Sequence, residues 1–280
     1  MKMKKIFSLF MLVYFIAVFT SCTKDSISNT TPTTAKCKPL TESSNFNAGN
    51  VTYTYSYNTD GTLANISYPP NNMAVNYNAT LITYPSRTTT LTDSLNTAYD
   101  ANIYTGLPTK ATQFLTLDGI TYRNYMVFTF SYDLKNRLAK VIETTPNVAN
   151  DVEYQLTIIY NDQDNVSQLK YESFNGPAFF IAINATGYDD KPSPYLGIKN
   201  WYLSMHASWN NYDPAPILEA LSKNNLLGFN ITGDGVNAST VSRTMAYTYN
   251  ENGFPLIRTN TNKNNSGTYS FDETYTYQCK

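Results

Sequence analysis

The densest group of residues that could perform chemistry in this chain is acidic. Asp189 and Asp190 stand side by side in the segment Tyr188-Asp-Asp-Lys-Pro-Ser-Pro-Tyr195. Paired carboxylates can bind a cation or act as general acid and base. No partner acids can be placed opposite them from the sequence, so we favour a proline-fixed, solvated loop. A hydrolase that uses Asp189, Asp190 or Glu219 is the alternative function.

The single histidine restricts nucleophilic catalysis. A Ser-His-Asp or Cys-His device would have to use His206, because the chain has no other histidine. No Gly-x-Ser-x-Gly elbow and no His or Cys pair at zinc-ligand spacing accompanies it. We therefore interpret His206 as a structural or surface residue and expect no catalytic residue set, no metal site and no cofactor.

Four aromatic residues close in sequence support one binding hypothesis. Trp201, Tyr202, Trp209 and Tyr212 stand among Asn and Asp residues. Flat rings with such neighbours could stack on sugar rings and hydrogen-bond their hydroxyls. Large aromatic side chains are usually buried, so the alternative is that these rings pack onto the rest of the fold. Glycan or a partner protein is the candidate ligand, and Asp189 and Asp190 are included in the candidate site.

The first 21 residues have the order of a secretory signal peptide. Lys2, Lys4 and Lys5 precede an apolar run, and small residues follow it. The apolar run, residues 6–19, is shorter than the roughly 20 residues that a spanning helix needs. Cys22 comes directly after Thr20 and Ser21, an arrangement that resembles the lipobox of bacterial lipoproteins. The resemblance implies cleavage before Cys22 and acylation of that cysteine. The alternative is an ordinary secreted protein that is cut near Ser21, in which Cys22 has no such role.

Residues 22–36 are polar, lack apolar periodicity and are interpreted as the acylated cysteine and a flexible tether. Thr23-Lys24-Asp25 resembles the surface-export signal of certain Gram-negative lipoproteins. These resemblances imply an outer-membrane lipoprotein that faces the periplasm or is exposed at the cell surface. The membrane, contacted through the N-terminal lipid, is therefore an expected partner.

Composition excludes a nucleic-acid partner. The chain has 20 basic and 21 acidic residues, and removing the three lysines of the leader leaves 17 against 21, a net charge of −4. Nucleic-acid binding requires a basic surface instead. The 24 tyrosines favour β-strands.

Cys37 and Cys279 bracket the rest of the chain. Exported proteins can join such pairs in an oxidising compartment, and we predict a disulfide between them. Two unpaired thiols are the alternative, because the sequence carries no geometry.

A strand, a turn and a return strand recur along the chain. Each unit ends its first strand in Tyr, continues with Asp or Asn, and usually has an apolar return strand. The four units begin their turns after Tyr57, Tyr132, Tyr160 and Tyr249. Asn or Asp can cap its own backbone at the start of a turn, and Gly or Asn tolerates positive φ. The residues two positions before each Tyr share its face and should form a large apolar stripe. Asn161-Asp-Gln-Asp-Asn165 is interpreted as such a turn and not as a calcium loop, because Val166 stands where that loop needs Gly.

Tyr132-Asp-Leu-Lys-Asn-Arg-Leu138 resembles the YD repeats of secreted proteins, whose core reads Tyr-Asp-x-x-Gly-Arg-Leu. The chain also resembles a group of uncharacterised Gram-negative lipoproteins that carry such hairpins. The resemblance implies a structure and transfers no catalytic residue. The uneven spacing of the four tyrosines excludes a strict solenoid period.

One helix is predicted, from Asp213 to Lys223, in an insertion spanning 186–240. We expect a single β-rich domain over 37–280. Its fold class is mainly β, an antiparallel meander curled into an open shell or half-barrel with a small helical insertion. The predicted function is that of a membrane-anchored, non-enzymatic envelope lipoprotein with a binding or structural role.

Overall fold

The computed structural model describes thirteen parts of the chain, all within the compact unit Ala35–Lys280. They are residues 37–46, 51–59, 63–68, 71–76, 81–85, 94–101, 107–117, 120–146, 154–173, 180–196, 198, 214–233 and 242–279.

The described residues form sixteen strands and one helix. The strands are β1 (Cys37–Ser44), β2 (Val51–Tyr57), β3 (Leu63–Tyr68), β4 (Asn71–Asn76), β5 (Leu81–Pro85), β6 (Ser94–Ala101), β7 (Pro108–Leu117), β8 (Ile120–Tyr132), β9 (Leu138–Thr144), β10 (Tyr154–Tyr160), β11 (Val166–Ser173), β12 (Phe180–Pro192), β13 (Asn224–Gly233), β14 (Ser242–Tyr249), β15 (Pro255–Asn264) and β16 (Gly267–Cys279). The helix, α1, spans Ala215–Leu221.

Each strand pairs in antiparallel fashion with the strands before and after it in the chain. This confirms the predicted antiparallel meander. β1 pairs with β2 and also with β16, so the ladder returns to its first strand as a closed barrel. The predicted open shell or half-barrel would have left its first and last strands as unpaired edges. In the structure these strands, β1 and β16, pair with each other. Pairing of the first and last strands satisfies the backbone groups that an open sheet would leave at its edges.

Side chains alternate between the two faces of the wall. The inward face carries the apolar core, whose fully buried members include Leu63, Phe128, Leu169 and Phe229. The residues two positions before the turn tyrosines belong to this face, and Tyr55, Phe130 and Ile158 are each only 4% exposed. The predicted apolar stripe is therefore the interior of the barrel.

Three turns share one geometry. Asp133, Asn161 and Asn250 each accept, through one side-chain oxygen, the N–H groups two and four residues later. The fourth residue of each turn has positive φ: Asn136 at 60°, Asp164 at 63° and Gly253 at 79°. The pairing register shifts by one residue beside each turn, at Tyr132, Tyr160 and Tyr249. Three of the four predicted turns are confirmed, including the one that resembles a calcium loop, and the turn predicted after Tyr57 includes residues 60–62, which lie outside the described parts of the chain.

At one end of the barrel, tyrosine hydroxyls form hydrogen bonds that join neighbouring strands. The described contacts are Tyr57 to the carbonyl of Pro39, Tyr132 to Pro108, Tyr160 to Leu138, Tyr188 to Val166 and Tyr247 to Leu226, all at 2.7–2.9 Å. Each hydroxyl donates to a carbonyl near the start of the preceding strand. We call this end, where even-numbered strands finish, the tyrosine end.

The helical region is narrower than the sequence indicates. β12 continues to Pro192 and β13 spans Asn224–Gly233, so residues 186–192 and 224–233 of the predicted insertion are strand. Between these strands, α1 buries Ile217 and Leu218 against the barrel core. The predicted first residue of the helix, Asp213, lies outside the described residues. No helix in the described parts of the chain is both long and apolar enough to span a bilayer.

Candidate functional site

The cysteine pair closes the barrel seam. Cys37 on β1 lies directly opposite Cys279 on β16, and the two sulfur atoms are bonded. The predicted disulfide is confirmed. Because β1 begins and β16 finishes there, the covalent link lies at the tyrosine end.

Asp189 links neighbouring strands through hydrogen bonds. It accepts hydrogen bonds from the backbone of Lys191 at 2.9 Å and from the backbone and side chain of Asn225 at 3.1 and 3.0 Å. The hydroxyl of Tyr249 donates to its second oxygen. These four donors occupy the carboxylate, so Asp189 holds β12, β13 and β14 together.

The other proposed acids lie in different surroundings. The side chain of Asp190 is 85% exposed and lies 3.4 Å from the ammonium of Lys191. Glu219 on α1 is only 2% exposed and accepts a hydrogen bond from the guanidinium of Arg258. The structure therefore gives the three candidate acids of the hydrolase alternative different surroundings: Asp189 is hydrogen-bonded between strands, Asp190 is exposed, and Glu219 is buried beside Arg258.

Glu219 instead belongs to a charged group inside the barrel, which we call the Arg258 cluster: Glu42, Glu219, Arg258 and Glu273. Arg258 donates to Glu219 and Glu273, and its remaining nitrogen lies 4.0 Å from Glu42. Glu42 also accepts hydrogen bonds from the hydroxyls of Tyr55 at 2.8 Å and Tyr195 at 2.7 Å. One arginine is thus shared by three carboxylates from β1, α1 and β16.

Glu42 and Glu273 of this cluster have pKa values that are shifted in opposite directions. Burial, followed by the charge of Glu273, raises the pKa of Glu42 to about 7. Burial acts on Glu273 in the same direction, but Arg258 outweighs it and holds the pKa of Glu273 below its ordinary value. Burial and neighbouring charge thus bring the pKa of Glu42 near neutral pH, whereas Arg258 keeps that of Glu273 low.

A groove of about 480 Å³ opens at the tyrosine end. Its lining residues come from the β6–β7, β8–β9 and β10–β11 connections and from 193–223. They are Leu107, Tyr132, Lys135, Asn136, Arg137, Leu138, Tyr160, Asp164, Tyr195, Leu196, Ile198, Ala220, Leu221, Ser222 and Lys223. The volume falls within the range of small-molecule sites.

The groove combines an apolar floor with a charged lip. Leu138, Tyr195 and Ile198 are buried, at 2%, 5% and 6% exposure, and form the floor. Lys135, with a side chain 60% exposed, and exposed Lys223 stand at the lip.

Ion pairs fix one side of this lip. Arg137 contacts Asp133 and Asp164, each at 2.6 Å, and its guanidinium lies 4.1 Å from the ring centre of Tyr160. Lys135 reaches Asp164 at 2.8 Å. The hydrogen bond from Lys135 holds the pKa of Asp164 below its ordinary value. This network joins the β8–β9 and β10–β11 turns.

Tyr195 connects the groove with the interior. Its ring lines the groove, and its hydroxyl donates to Glu42. Sequence reasoning missed Glu42, Arg258, Glu273 and Tyr195. Arg258 could have been found from the alternation of its strand. It stands two residues before buried Asn260, so its side chain lies on the same inward face.

Several predicted residues lie outside the described parts of the chain. They are the acylation site Cys22, the aromatic residues Trp201, Tyr202, Trp209 and Tyr212, and His206. The aromatic segment is bounded by groove elements, since Ile198 precedes it and α1, with Ala220 and Leu221, follows it.

The fold is similar to that of two proteins of known crystal structure. A porin-like protein from Bacteroides uniformis ATCC 8492 aligns with a TM-score of 0.54 and 17% identity over 85% of this chain and 96% of its own. A porin-like protein from Bacteroides vulgatus ATCC 8482 aligns with a TM-score of 0.54 and 10% identity over 87% of this chain and 99% of its own. At these identities the likeness concerns the fold alone. No protein family model and no curated protein sequence matches the chain.

Proposed function

We propose that this chain is a lipid-anchored protein of the Gram-negative envelope whose barrel lies in water and binds a ligand, without catalysing a reaction. The leader, the cysteine at its end and the polar tether support anchoring at Cys22. The porin-like folds of two Bacteroides proteins support the envelope as the compartment.

The observation that carries the proposal is the polarity of the outer wall. On β14, β15 and β16 the exposed wall positions are mostly polar. They include Thr244, Thr248, Thr259, Lys263, Thr268, Ser270, Asp272, Thr274, Thr276 and Gln278. A barrel that spans a bilayer has an outward apolar band about 25 Å tall. A wall of Thr, Ser and charged residues is suited to water.

Polar contacts also join neighbouring strands on two parts of the described wall. Thr41 pairs with Thr276 at 2.7 Å, and Thr259 donates to Asp272 at 2.7 Å. On the other side, the amide of Gln168 donates to Asn184 at 2.6 Å. Lipid-facing strands would need apolar side chains at these positions.

The filled interior supports binding of a ligand at the surface of the barrel in preference to passage of solutes through it. Leu218 of α1 and the wall residues Phe128 and Phe229 are at most 1% exposed and belong to one apolar cluster. The water-filled barrels of porins have polar interiors instead. The tyrosine-end groove is a concave surface that is open to a ligand.

Cell fractionation tests this proposal. The wild-type chain should label with palmitate and sediment with membranes after a carbonate wash. A Cys22→Ser variant, with residues 1–21 replaced by an ordinary cleavable leader, should be unlabelled and move to the aqueous fraction. A variant that stays in washed membranes would show that the barrel wall itself contacts lipid, and the proposal would fail.

A further inference from the structure

We propose that the tyrosine-end groove binds an anionic amphiphile of the membrane surface, with a phosphate group at the lip and an acyl segment on the floor. This inference rests on the proposed lipid anchor and names the ligand class of the groove. It follows from the lining of the groove and from where the tether joins the barrel.

The floor suits an acyl segment. Leu138, Ile198 and Leu221 present aliphatic side chains, and Leu196 adds an aliphatic group that is 54% exposed. An exposed leucine beside an apolar floor gains by being covered, at about 25 cal/mol per Å² of apolar surface removed from water.

The lip suits a phosphate. Lys135, Arg137 and Lys223 line the groove, whereas Asp164 is the one acid among its lining residues. Arg137 is held by Asp133 and Asp164, so Lys135 and Lys223 are the lining cations with exposed ends. The pair of Lys135 with Asp164 is exposed, and exposed ion pairs contribute little stability, so a phosphate can compete for the lysine.

The groove lies at the end of the barrel where the chain enters its first strand. β1 begins at Cys37, and Tyr57 donates to Pro39 where β2 finishes, so this entry point is at the tyrosine end. The fifteen steps from Cys22 to Cys37 can span at most about 50 Å. A lipid on Cys22 would therefore hold lipid head groups within about that distance of the end that carries the groove.

Binding is tested on the full chain that carries Cys22→Ser and is collected from the aqueous fraction, so that its own lipid does not compete. Calorimetry would use dihexanoylphosphatidylglycerol below its micellar concentration, with dihexanoylphosphatidylcholine as the zwitterionic comparison. We expect the anionic lipid to bind at least tenfold more tightly.

Two groove variants separate the charged from the apolar contribution. Lys135→Gln with Lys223→Gln should weaken binding by roughly 25-fold at low salt, about fivefold for each lysine near an anionic lipid. Leu196→Asn should weaken binding about fivefold through lost apolar contact. Lys263→Gln near the opposite end and Leu256→Asn, which is 40% exposed outside the groove, are matched controls and should bind as wild type.

Three results would overturn the inference: equal affinity for the two lipids, no binding of either lipid, or wild-type affinity of the double lysine variant. Each can occur while Cys22→Ser still releases the protein from membranes, so failure here is distinguishable from failure of the anchor. Conversely, lipid binding by a chain that is never labelled with palmitate would support the groove and contradict the anchor.

Discussion

Inside the barrel, Arg258 lies among three carboxylates and is farthest from Glu42. It donates directly to Glu219 and Glu273 but lies 4.0 Å from Glu42. Burial and the neighbouring charge of Glu273 raise the pKa of Glu42 to about 7. Other titratable groups also interact with Glu42, from β2, β16 and the loop after β12. They are Tyr55, Tyr195, Tyr275 and Tyr277.

Glu42→Gln should remove a pH dependence of stability. The folded pKa of about 7 exceeds the ordinary value of 4.5, so folding takes up a proton between these values. Wild-type stability should therefore fall as pH rises from 4.5 to 8, by on the order of 3 kcal/mol. Urea unfolding at pH 5, 6.5 and 8 measures this, and the variant should show a much flatter profile.

Glu251→Gln is the control, because Glu251 is exposed in the β14–β15 turn. Its profile should match that of the wild type. A Glu42→Gln profile as steep as the wild-type one would show that Glu42 does not take up a proton on folding.

At the scale of the hairpin, the sequence indicated which side chains cap a turn, but it did not indicate how many turns the chain forms. Asp133, Asn161 and Asn250 cap their turns as predicted, since this contact is local. The same Tyr-Asx dipeptide also occurs inside two further even-numbered strands, as Tyr99-Asp100 in β6 and Tyr188-Asp189 in β12. Both strands continue beyond it, so the dipeptide alone does not mark where a strand ends.

Gly253→Ala tests the positive φ of the β14–β15 turn. An added Cβ would meet the side chain of Lys191 at 3.6 Å, an ordinary contact, so only the backbone conformation opposes it. We expect a loss of about 1–2 kcal/mol for Ala, and a smaller loss for Asn, which tolerates this conformation. Denaturant unfolding compares the two. Equal stability of wild type and Gly253→Ala would contradict the turn geometry.

Tyr160→Phe tests the hydroxyl contacts of the tyrosine end. The variant leaves the carbonyl of Leu138 without its 2.9 Å donor, so we expect a loss of about 1 kcal/mol. Tyr269→Phe, on a ring that is 36% exposed near the opposite end, should change stability by much less. Similar losses in the two variants would show that the hydroxyl contact adds nothing specific.

At the scale of the whole molecule, closure was the feature beyond reach of the sequence. Alternation indicated which residues share a face, and the apolar face is indeed inside. Pairing of β1 with β16 joins segments 242 residues apart at Cys37 and Cys279, and no local pattern specifies it. The two cysteines were the one signal. The Arg258 cluster could not be predicted either, because its four residues come from four elements that are far apart in the sequence.

A Cys37→Ser and Cys279→Ser double variant measures what the covalent seam contributes. Cross-linking a loop this long stabilises by on the order of 5 kcal/mol in the chain-entropy model. The double variant should unfold at lower denaturant, and a reducing agent should lower the stability of wild type by a similar amount without affecting the variant. Equal midpoints for oxidised wild type and the variant would contradict a stabilising seam.

The central claim is that the wall of the barrel faces water while the chain is held on a membrane by its lipid. Thiol labelling tests it in isolated, sonicated membranes, with Thr274→Cys in the middle of β16 as the probe and Ser266→Cys at the β15–β16 turn as the matched control. Native thiols should not interfere, because Cys37 and Cys279 are bonded and Cys22 is proposed to be acylated. Both introduced thiols should react equally fast with a charged, membrane-impermeant maleimide. Protection of Thr274→Cys while Ser266→Cys reacts would place the wall in lipid and contradict the account.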